Sequence, residues 1–250
     1  MKDATRVRLT RWAIVLAAIA ALEILPRVGL GDAITLIPLS EIAREFFVLL
    51  SDGELTPHLL ATGGAFVLSF LLAAVTGVPL GFLLWRYQPL KRTLDPYLTT
   101  YYAIPIFAFY PLLLAILGFN LLPIVAISWL WAVVAVVLNT AIGFGEVPEV
   151  LIKVGRSMNL SRWQILSRIF FPAAVPHIFT GLKLGMVYSL IGVIASEFVL
   201  STRGLGYLVS YSYANFATAA MYSAIIVILV LAILLNSALN RIERRLYEHG

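Results

Sequence analysis

Long apolar runs separated by short polar connections dominate this sequence. A helix that crosses the hydrocarbon core of a membrane needs roughly 20 apolar residues. Runs near this length occupy residues 12–25, 59–85, 98–117, 122–144, 178–200 and 219–239. The pattern predicts an all-α polytopic membrane protein with about six transmembrane helices, forming a single transmembrane domain over residues 1–250.

Residues 38–52 differ from these runs because they carry charges at helical spacing. Ile42, Phe46 and Leu50 fall on one face of a helix, whereas residues such as Glu41 fall elsewhere. Such a segment is too polar to cross the membrane, and it is expected to lie along the membrane surface.

Composition narrows the class of protein. Hydrophobic residues make up 61% of the chain, charged residues 12%, and the mean hydropathy is +0.94, values that exclude a soluble globular domain. The net charge of +5 does not indicate a nucleic-acid partner, because the basic residues lie between apolar runs and form no patch with aromatic residues. The chain has no cysteine, and His58, His177 and His249 are too scattered to form a metal site.

The basic residues predict how the chain is oriented in the membrane. Under alternate threading they fall on one side, which is the cytoplasmic side because cytoplasmic loops are enriched in Lys and Arg. Besides the basic amino terminus, the groups are Arg86/Lys91/Arg92, Lys153/Arg156/Arg162/Arg168 and Arg241/Arg244/Arg245. Both termini are therefore expected in the cytoplasm, and the first apolar run is interpreted as an uncleaved anchor.

Glycine and proline predict local features of three spans. Gly77-x-x-x-Gly81 and a second motif of this kind from Gly181 lack side chains, so another helix backbone can approach closely, with dimerisation left open as one use. Pro105 and Pro111 each remove a backbone donor from the third span. This span is expected to be bent or locally unwound.

The longest cytoplasmic connection, about residues 145–176, predicts two short helices. The first covers about residues 147–158. Ser161 then starts a capping box, in which its hydroxyl accepts from the Gln164 amide while the Gln164 side chain accepts from the Ser161 amide. The second helix is amphipathic and is expected to end just before Pro172, because the residue preceding a proline avoids helical geometry. A solvated connector at the membrane surface is the alternative explanation.

The spacing in this loop resembles the permease family of binding-protein-dependent ABC importers. The cytoplasmic loop of that family carries Glu-Ala-Ala, three residues, Gly, nine residues, Ile, one residue and Leu-Pro. The matching positions here are Lys153-Val154-Gly155, Asn159, Ile169 and Phe171-Pro172. The resemblance extends over most of the chain and is greatest for the nitrate, sulfonate and taurine branch.

Departures from the family pattern have physical consequences. Asn159 replaces the turn glycine and is expected to preserve the turn, because Asn tolerates positive φ best after Gly. Gly155 is a small residue, as in the family, at the position where the family's loop fits into a groove on the ATPase. Lys153 reverses the charge of the family's Glu, so the cognate ATPase is expected to have an acidic or neutral groove wall there. Gly118-Phe119-Asn120 stands where the branch carries Gly-x-Gly-x-x-Ser-Lys, which leaves the substrate class open.

The resemblance implies a permease subunit that works with partners in the bacterial inner membrane. Two copies would form the pore as a homodimer, a periplasmic binding protein would deliver a small anion such as a sulfonate or nitrate, and a separate ATPase would dock on the loop. No Gly-x-x-x-x-Gly-Lys phosphate loop occurs in the sequence, so ATP and Mg²⁺ are expected on the ATPase and no catalysis on this chain. The implied docking residues are Lys153, Val154, Gly155, Arg156, Ser157, Asn159, Ser161, Ile169 and Pro172.

Polar residues inside the predicted spans are candidates for the translocation pathway. A charge there is costly unless it snorkels, pairs or faces water. Lys183 is expected either to snorkel to the cytoplasmic interface or to face the subunit interface, and Glu197 either to contact water or to line the outer mouth. The candidates are Tyr102, Tyr110, Asn139, Lys183, Ser189 and Glu197, although hydroxyls and amides also bond helices together.

Two other classes of membrane protein fit the sequence less well. A stand-alone secondary carrier should show acidic residues in mid-span and an internal repeat, whereas Glu23 and Glu197 are near span ends and no repeat is visible. An intramembrane enzyme requires a catalytic pair at membrane depth, such as Ser with His, and the sequence offers none.

Overall fold

The computed structural model describes residues 2–29, 36–101 and 103–247, and every regular element within them is helical. The helices are α1 (Lys2–Arg27), α2 (Leu39–Ser51), α3 (Leu55–Arg86), α4 (Gln88–Tyr101), α5 (Tyr110–Leu117), α6 (Leu121–Gly145), α7 (Glu149–Ser157), α8 (Arg162–Ile165), α9 (Phe171–Leu200), α10 (Leu205–Ala214) and α11 (Thr218–Tyr247). A 3-10 turn, Ile106–Phe109, precedes α5, and a π-helical turn, Leu166–Phe170, joins α8 to α9. The predicted all-α class is confirmed.

Within the described ranges, five helical segments are long and apolar enough to cross a membrane. They are α1, α3, α6, the continuous segment from α8 through α9, and α11. The bent pair α4 and α5 makes a sixth crossing if the two helices act as one span. The prediction of about six spans, a multi-pass membrane protein, is therefore confirmed.

The predicted third span is not one helix. α4 ends at Tyr101, and the pair α4 and α5 is bent by more than 40°. Pro105, with φ −72° and ψ 82°, stands outside helical geometry at this break, whereas Pro111 sits in the first turn of α5, where a missing donor costs nothing. The predicted bend is confirmed, and Pro105 accounts for it.

Glycines allow α3 and α9 to pack tightly on α6, which has the largest buried share of any candidate span, 61%. A Cβ on Gly81 of α3 would lie 2.6 Å from the Cβ of Thr140 and 2.6 Å from the carbonyl oxygen of Val137. A Cβ on Gly185 of α9 would lie 2.7 Å from Cγ2 of Val136. Both predicted glycine motifs thus serve packing within one chain, where no side chain fits, instead of joining two copies.

Backbone contacts group the chain into two compact units, Met1–Ala61 with Phe198–Val230 and Thr62–Glu197 with Leu231–Gly250. In the first unit, the Glu23 carboxylate at the end of α1 accepts from the Ser40 amide at 2.9 Å and from the Ser40 hydroxyl at 2.8 Å. It therefore caps α2, whose first amides have no helical acceptor. The second unit contains the α6 core and the loop between α6 and α9.

Candidate functional site

The turn after α7 closes through Asn159. Its φ of 56° lies in the left-handed region. The Leu160 amide donates to the Gly155 carbonyl at 3.0 Å, and the Asn159 amide donates to the Arg156 carbonyl at 3.0 Å, which is the Schellman pattern of a helix C-terminus. The prediction that Asn159 makes the turn in place of glycine is confirmed.

α8 begins at the predicted capping box but does not end where predicted. Gln164 Oε1 accepts from the Ser161 amide at 2.8 Å, and Ser161 Oγ accepts from the Gln164 amide at 3.3 Å. Phe171 is helical, with φ −60° and ψ −53°, and its amide donates to the carbonyl of Leu166. Pro172 has no backbone amide to donate, and the wider π turn before it lets the helix continue past this residue. The predicted stop before Pro172 is wrong, because the helix continues into α9.

Gly155 holds α7 against the helix that follows it. The residue is buried, and a Cβ on it would lie 2.5 Å from Cδ1 of Ile169 and 3.5 Å from Cγ1 of Ile165. Packing inside the loop thus explains the small residue, in contrast to the sequence interpretation that placed it against the ATPase. Ile169, which is identical to the family motif, is the side chain that occupies this space.

The side of α7 that points away from the rest of the chain, here called its outward face and marked by Val150, Lys153 and Val154, exposes apolar side chains. Val150 is 67% exposed and Val154 is 50% exposed. The Lys153 side chain is 73% exposed and lies 3.5 Å from the Glu149 carboxylate, a solvated pair that contributes about 0.3–0.5 kcal/mol. Arg156, Ser157 and Met158 are also exposed. Apolar groups grouped on the surface of a short helix are typical of a protein interface.

An aromatic cluster, Trp85, Phe144, Phe170 and Phe171, connects the loop to the spans. The Trp85 ring centroid lies 4.8 Å from Phe170 of the π turn and 5.1 Å from Phe144 of α6. Phe144, which is 1% exposed, lies 5.2 Å from Phe171. These ring contacts join the loop to the adjoining ends of α3 and α6 through close packing. Sequence reasoning missed this cluster; its signal was the recurrence of aromatic residues where α3, α6 and the loop reach one membrane face.

Glu197 is enclosed by protein. It is 1% exposed, and the Thr62 hydroxyl of α3 lies 2.9 Å and 2.8 Å from its two carboxylate oxygens. The Tyr110 phenol of α5, 3% exposed, is close enough to interact electrostatically with this carboxylate. The expectation that Glu197 contacts water is therefore wrong. The structure brings two of the pathway candidates, Glu197 and Tyr110, together inside the second unit.

The other uncharged pathway candidates have separate surroundings. The Asn139 amide nitrogen donates to the carbonyl of Ala135 on the same helix at 2.9 Å. Ser189 is fully buried, and its hydroxyl has no hydrogen-bond partner within the described part of the chain. Tyr102 lies outside the described residues. Neither Asn139 nor Ser189 has a hydrogen bond to Glu197 among the described residues.

Lys183 is paired within the chain. Its ammonium donates to Asn240 Oδ1 at 2.6 Å and to Glu243 Oε2 at 2.9 Å, both on α11. The side chains of the ion pair are each 29% exposed. The partners on α11 of the same chain compensate this charge. The position of Lys183 inside α9 therefore does not by itself require a role at a subunit interface.

Replacing Lys183 with methionine is expected to lower the free energy of unfolding by about 1 kcal/mol, because Glu243 then keeps a partly buried charge without its cation. The double variant Lys183→Met/Glu243→Gln should recover most of this loss. Thermal unfolding of the purified protein in detergent measures both effects. Lost transport at unchanged stability, without recovery in the double variant, would instead assign Lys183 to the pathway.

The described residues thus form a helical membrane bundle whose largest connection carries a short helix with exposed apolar side chains and packs against two spans. The chain belongs to the family of binding-protein-dependent transport system inner membrane components, whose profile matches residues 56–247. It is an ABC importer permease subunit, and this family works with ATPase and binding-protein partners.

Relatives of known name agree with the predicted branch. The chain is 30% identical over 200 residues to the taurine transport system permease protein TauC of Escherichia coli, covering 80% of this chain and 73% of TauC. It is 31% identical over 174 residues to the nitrate import permease protein NrtB of Synechocystis, covering 70% of this chain and 63% of NrtB. An inward facing structure of the MetNI methionine ABC transporter superposes with a TM-score of 0.66 at 22% identity, over 76% of this chain and 94% of that chain. At this identity the structural likeness shows the fold alone.

Proposed function

We propose that this chain forms the translocation pathway of an ATP-driven importer of small anions in the bacterial inner membrane, with ATP hydrolysis on a separate subunit. The observation that carries the proposal is the outward face of α7, where Val150, Val154 and Lys153 are exposed while Gly155 fixes the opposite side of the helix. With both termini in the cytoplasm, this face points toward the compartment that holds the ATPase.

Coupling follows from how the loop is attached to the spans. An ATPase that binds the outward face of α7 displaces this helix when the ATPase binds nucleotide. Because Ile169 packs against Gly155 and lies in the π turn continuous with α9, the displacement passes directly into a span. The contact of Trp85 with Phe170 carries it to α3 as well. In a homodimer, two such loops rock together and open the pathway toward the binding protein.

The charge at Lys153 predicts the chemistry of the ATPase groove. We propose an acidic or neutral wall opposite Lys153, where relatives with Glu would meet a basic one. Lys153→Glu should lower substrate-stimulated ATP hydrolysis with the cognate ATPase about fivefold, and Lys91→Glu, the same charge change near the start of α4, should leave it near normal. Undiminished coupling of the unaltered chain to an ATPase from a relative with Glu at this position would refute the charge argument.

The substrate class rests on the relatives. TauC and NrtB are named for taurine and nitrate, which share a compact anionic oxygen group. We propose a substrate of this type, selected mainly by the binding protein. Uptake of labelled taurine and nitrate by cells that carry the complete transporter but lack their own permeases tests this. Transport of a cation or of an uncharged solute, with neither anion competing, would overturn the substrate class while leaving the ATP-driven permease intact.

A further inference from the structure

A groove beside α7 combines apolar and basic side chains, most of which lie outside the implied docking residues. It lies between the inner end of α3, the flank of α7 and the helical segment that begins at Arg162. Its floor is formed by the apolar side chains of Phe82, Trp85, Leu166 and Phe170. All these residues belong to the second unit of the chain.

The floor of the groove is preformed. The ring centroids of Trp85 and Phe170 lie 4.8 Å apart, and those of Phe82 and Trp85 lie 5.6 Å apart. These rings are only half-buried, although Trp85 and Phe170 belong to the aromatic cluster and Phe82 lies 5.1 Å from its buried member Phe144. An open apolar floor at the end of a span costs hydration free energy unless an apolar group covers it.

The rim of the groove carries three exposed guanidinium groups, from Arg86, Arg156 and Arg162. Within the described ranges, no carboxylate lies within ion-pair distance of any of them. The two acidic residues flanking the start of α7 are already engaged, Glu146 with His177 at 3.1 Å and Glu149 with Lys153 at 3.5 Å. The rim therefore presents concentrated positive charge above an apolar floor.

We infer that this groove binds an anionic phospholipid of the inner leaflet, with its phosphate at the arginine rim and an acyl chain on the aromatic floor. The inference rests on the proposed orientation, which places the loop at the cytoplasmic face. Trp85 and Arg86 end α3 and Tyr87 follows it, and these are residue types that concentrate at the headgroup level. Trp163, 71% exposed at the same rim, is of this type too. Basic pockets between helices on this side of a membrane suit such headgroups.

The positive rim and the apolar floor together favour a lipid over three other occupants: inorganic phosphate, the ATPase and a second copy of the chain. Inorganic phosphate would use the arginines and leave the floor uncovered. An ATPase that docks on the outward face of α7 meets Val150 and Lys153, which do not line this groove. Arg156 is the one implied docking residue that does line it, and an ATPase contact there would leave the apolar floor uncovered. A second copy of the chain would bring its own basic residues to the rim, since the cytoplasmic connections of this protein are basic.

The test measures lipid binding to the purified permease–ATPase complex. The complex is delipidated in a neutral detergent, and phosphatidylglycerol or phosphatidylcholine is titrated while native mass spectrometry counts bound lipids. Phosphatidylglycerol should bind more tightly than phosphatidylcholine, and Arg86→Gln/Arg162→Gln should weaken it about thirtyfold. The control Arg168→Gln, an exposed arginine outside this groove, should bind as the unaltered protein does.

Three outcomes would overturn the inference. These are equal affinity for the two lipids, equal weakening by Arg168→Gln, and competition by inorganic phosphate as effective as that by phosphatidylglycerol. A further sign against it would be phosphatidylglycerol binding only after the ATPase is removed, which would assign the groove to the ATPase. Because the ATPase is counted in the same spectra, a complex that assembles but shows no lipid preference refutes the lipid site and leaves the proposed function standing.

Discussion

Replacing Gly81 with valine is expected to prevent the accumulation of folded protein. The new Cβ would lie 2.6 Å from the Thr140 Cβ and 2.6 Å from the Val137 carbonyl oxygen. Neither atom is the end of a flexible side chain, so α3 and α6 have to separate along their packed length. Overpacking costs about 1–3 kcal/mol, and contact with backbone atoms places this site at the upper end of that range. The yield of monodisperse protein after extraction and its unfolding midpoint measure the effect.

Gly64→Val in the same helix is the matched control. Gly64 is exposed, and a Cβ there meets no atom within 4 Å. The change in composition and helix propensity is identical, so a difference between the variants reports the close approach of α3 to α6. Equal yield and stability of the two variants would show that this approach is absent in the protein.

Replacing Gly155 with leucine is expected to uncouple the transporter while leaving the spans folded. A Cβ at this position would meet Cδ1 of Ile169 at 2.5 Å, with Ile165 and Leu160 at 3.5 Å and 3.6 Å. The methyl group of Ile169 can shift for a Cβ, but the rest of the leucine side chain has no free space among these three residues, so α7 is expected to tilt away from the segment that continues into α9. Substrate-stimulated ATP hydrolysis should fall at least about tenfold. Gly64→Leu makes the same exchange at an exposed glycine of α3, where a Cβ meets no atom within 4 Å, and it should change the rate by much less.

A second substitution separates packing within the loop from contact with the ATPase. Ile169→Ala removes the atom that leucine would meet, so Gly155→Leu/Ile169→Ala should recover much of the lost coupling. If the pair is as defective as Gly155→Leu alone, the glycine is needed at the ATPase surface, as the sequence interpretation held. Normal coupling in Gly155→Leu itself would remove any role for close packing at this position.

Hydropathy was sufficient to predict the spans, because in a membrane each helix must satisfy its own backbone hydrogen bonds and therefore needs a long continuous apolar run. The same argument fails for shorter or interrupted elements. α10, Leu205–Ala214, is too short to stand out from the neighbouring polar connection. The break at Pro105 was predicted only as a bend, because a proline shows where a helix is disturbed but not how the chain continues.

Within the loop, the sequence predicted the features that depend on neighbouring residues, but it did not predict the contacts between separate helices. The turn at Asn159 and the capping box at Ser161 depend on residues a few positions apart, so sequence alone predicted both. The predicted helix end before Pro172 was wrong because a π turn lets the helix continue past a proline, and no spacing of residues in the sequence predicts a π turn. The packing of Gly155 on Ile169 joins two helices around a turn, and the enclosure of Glu197 depends on three separate helices.

Site-directed cross-linking in the native membrane tests the central claim most directly. The chain has no cysteine, so Lys153→Cys gives a tagged permease with one thiol on the outward face of α7. A thiol-linked photoreactive group there should capture an ATPase subunit with a phosphate-binding loop, identified by mass spectrometry. Phe119→Cys, 89% exposed in the connection predicted on the opposite side of the membrane, should not capture it. Capture of the same ATPase from both positions, or from neither, would contradict the account.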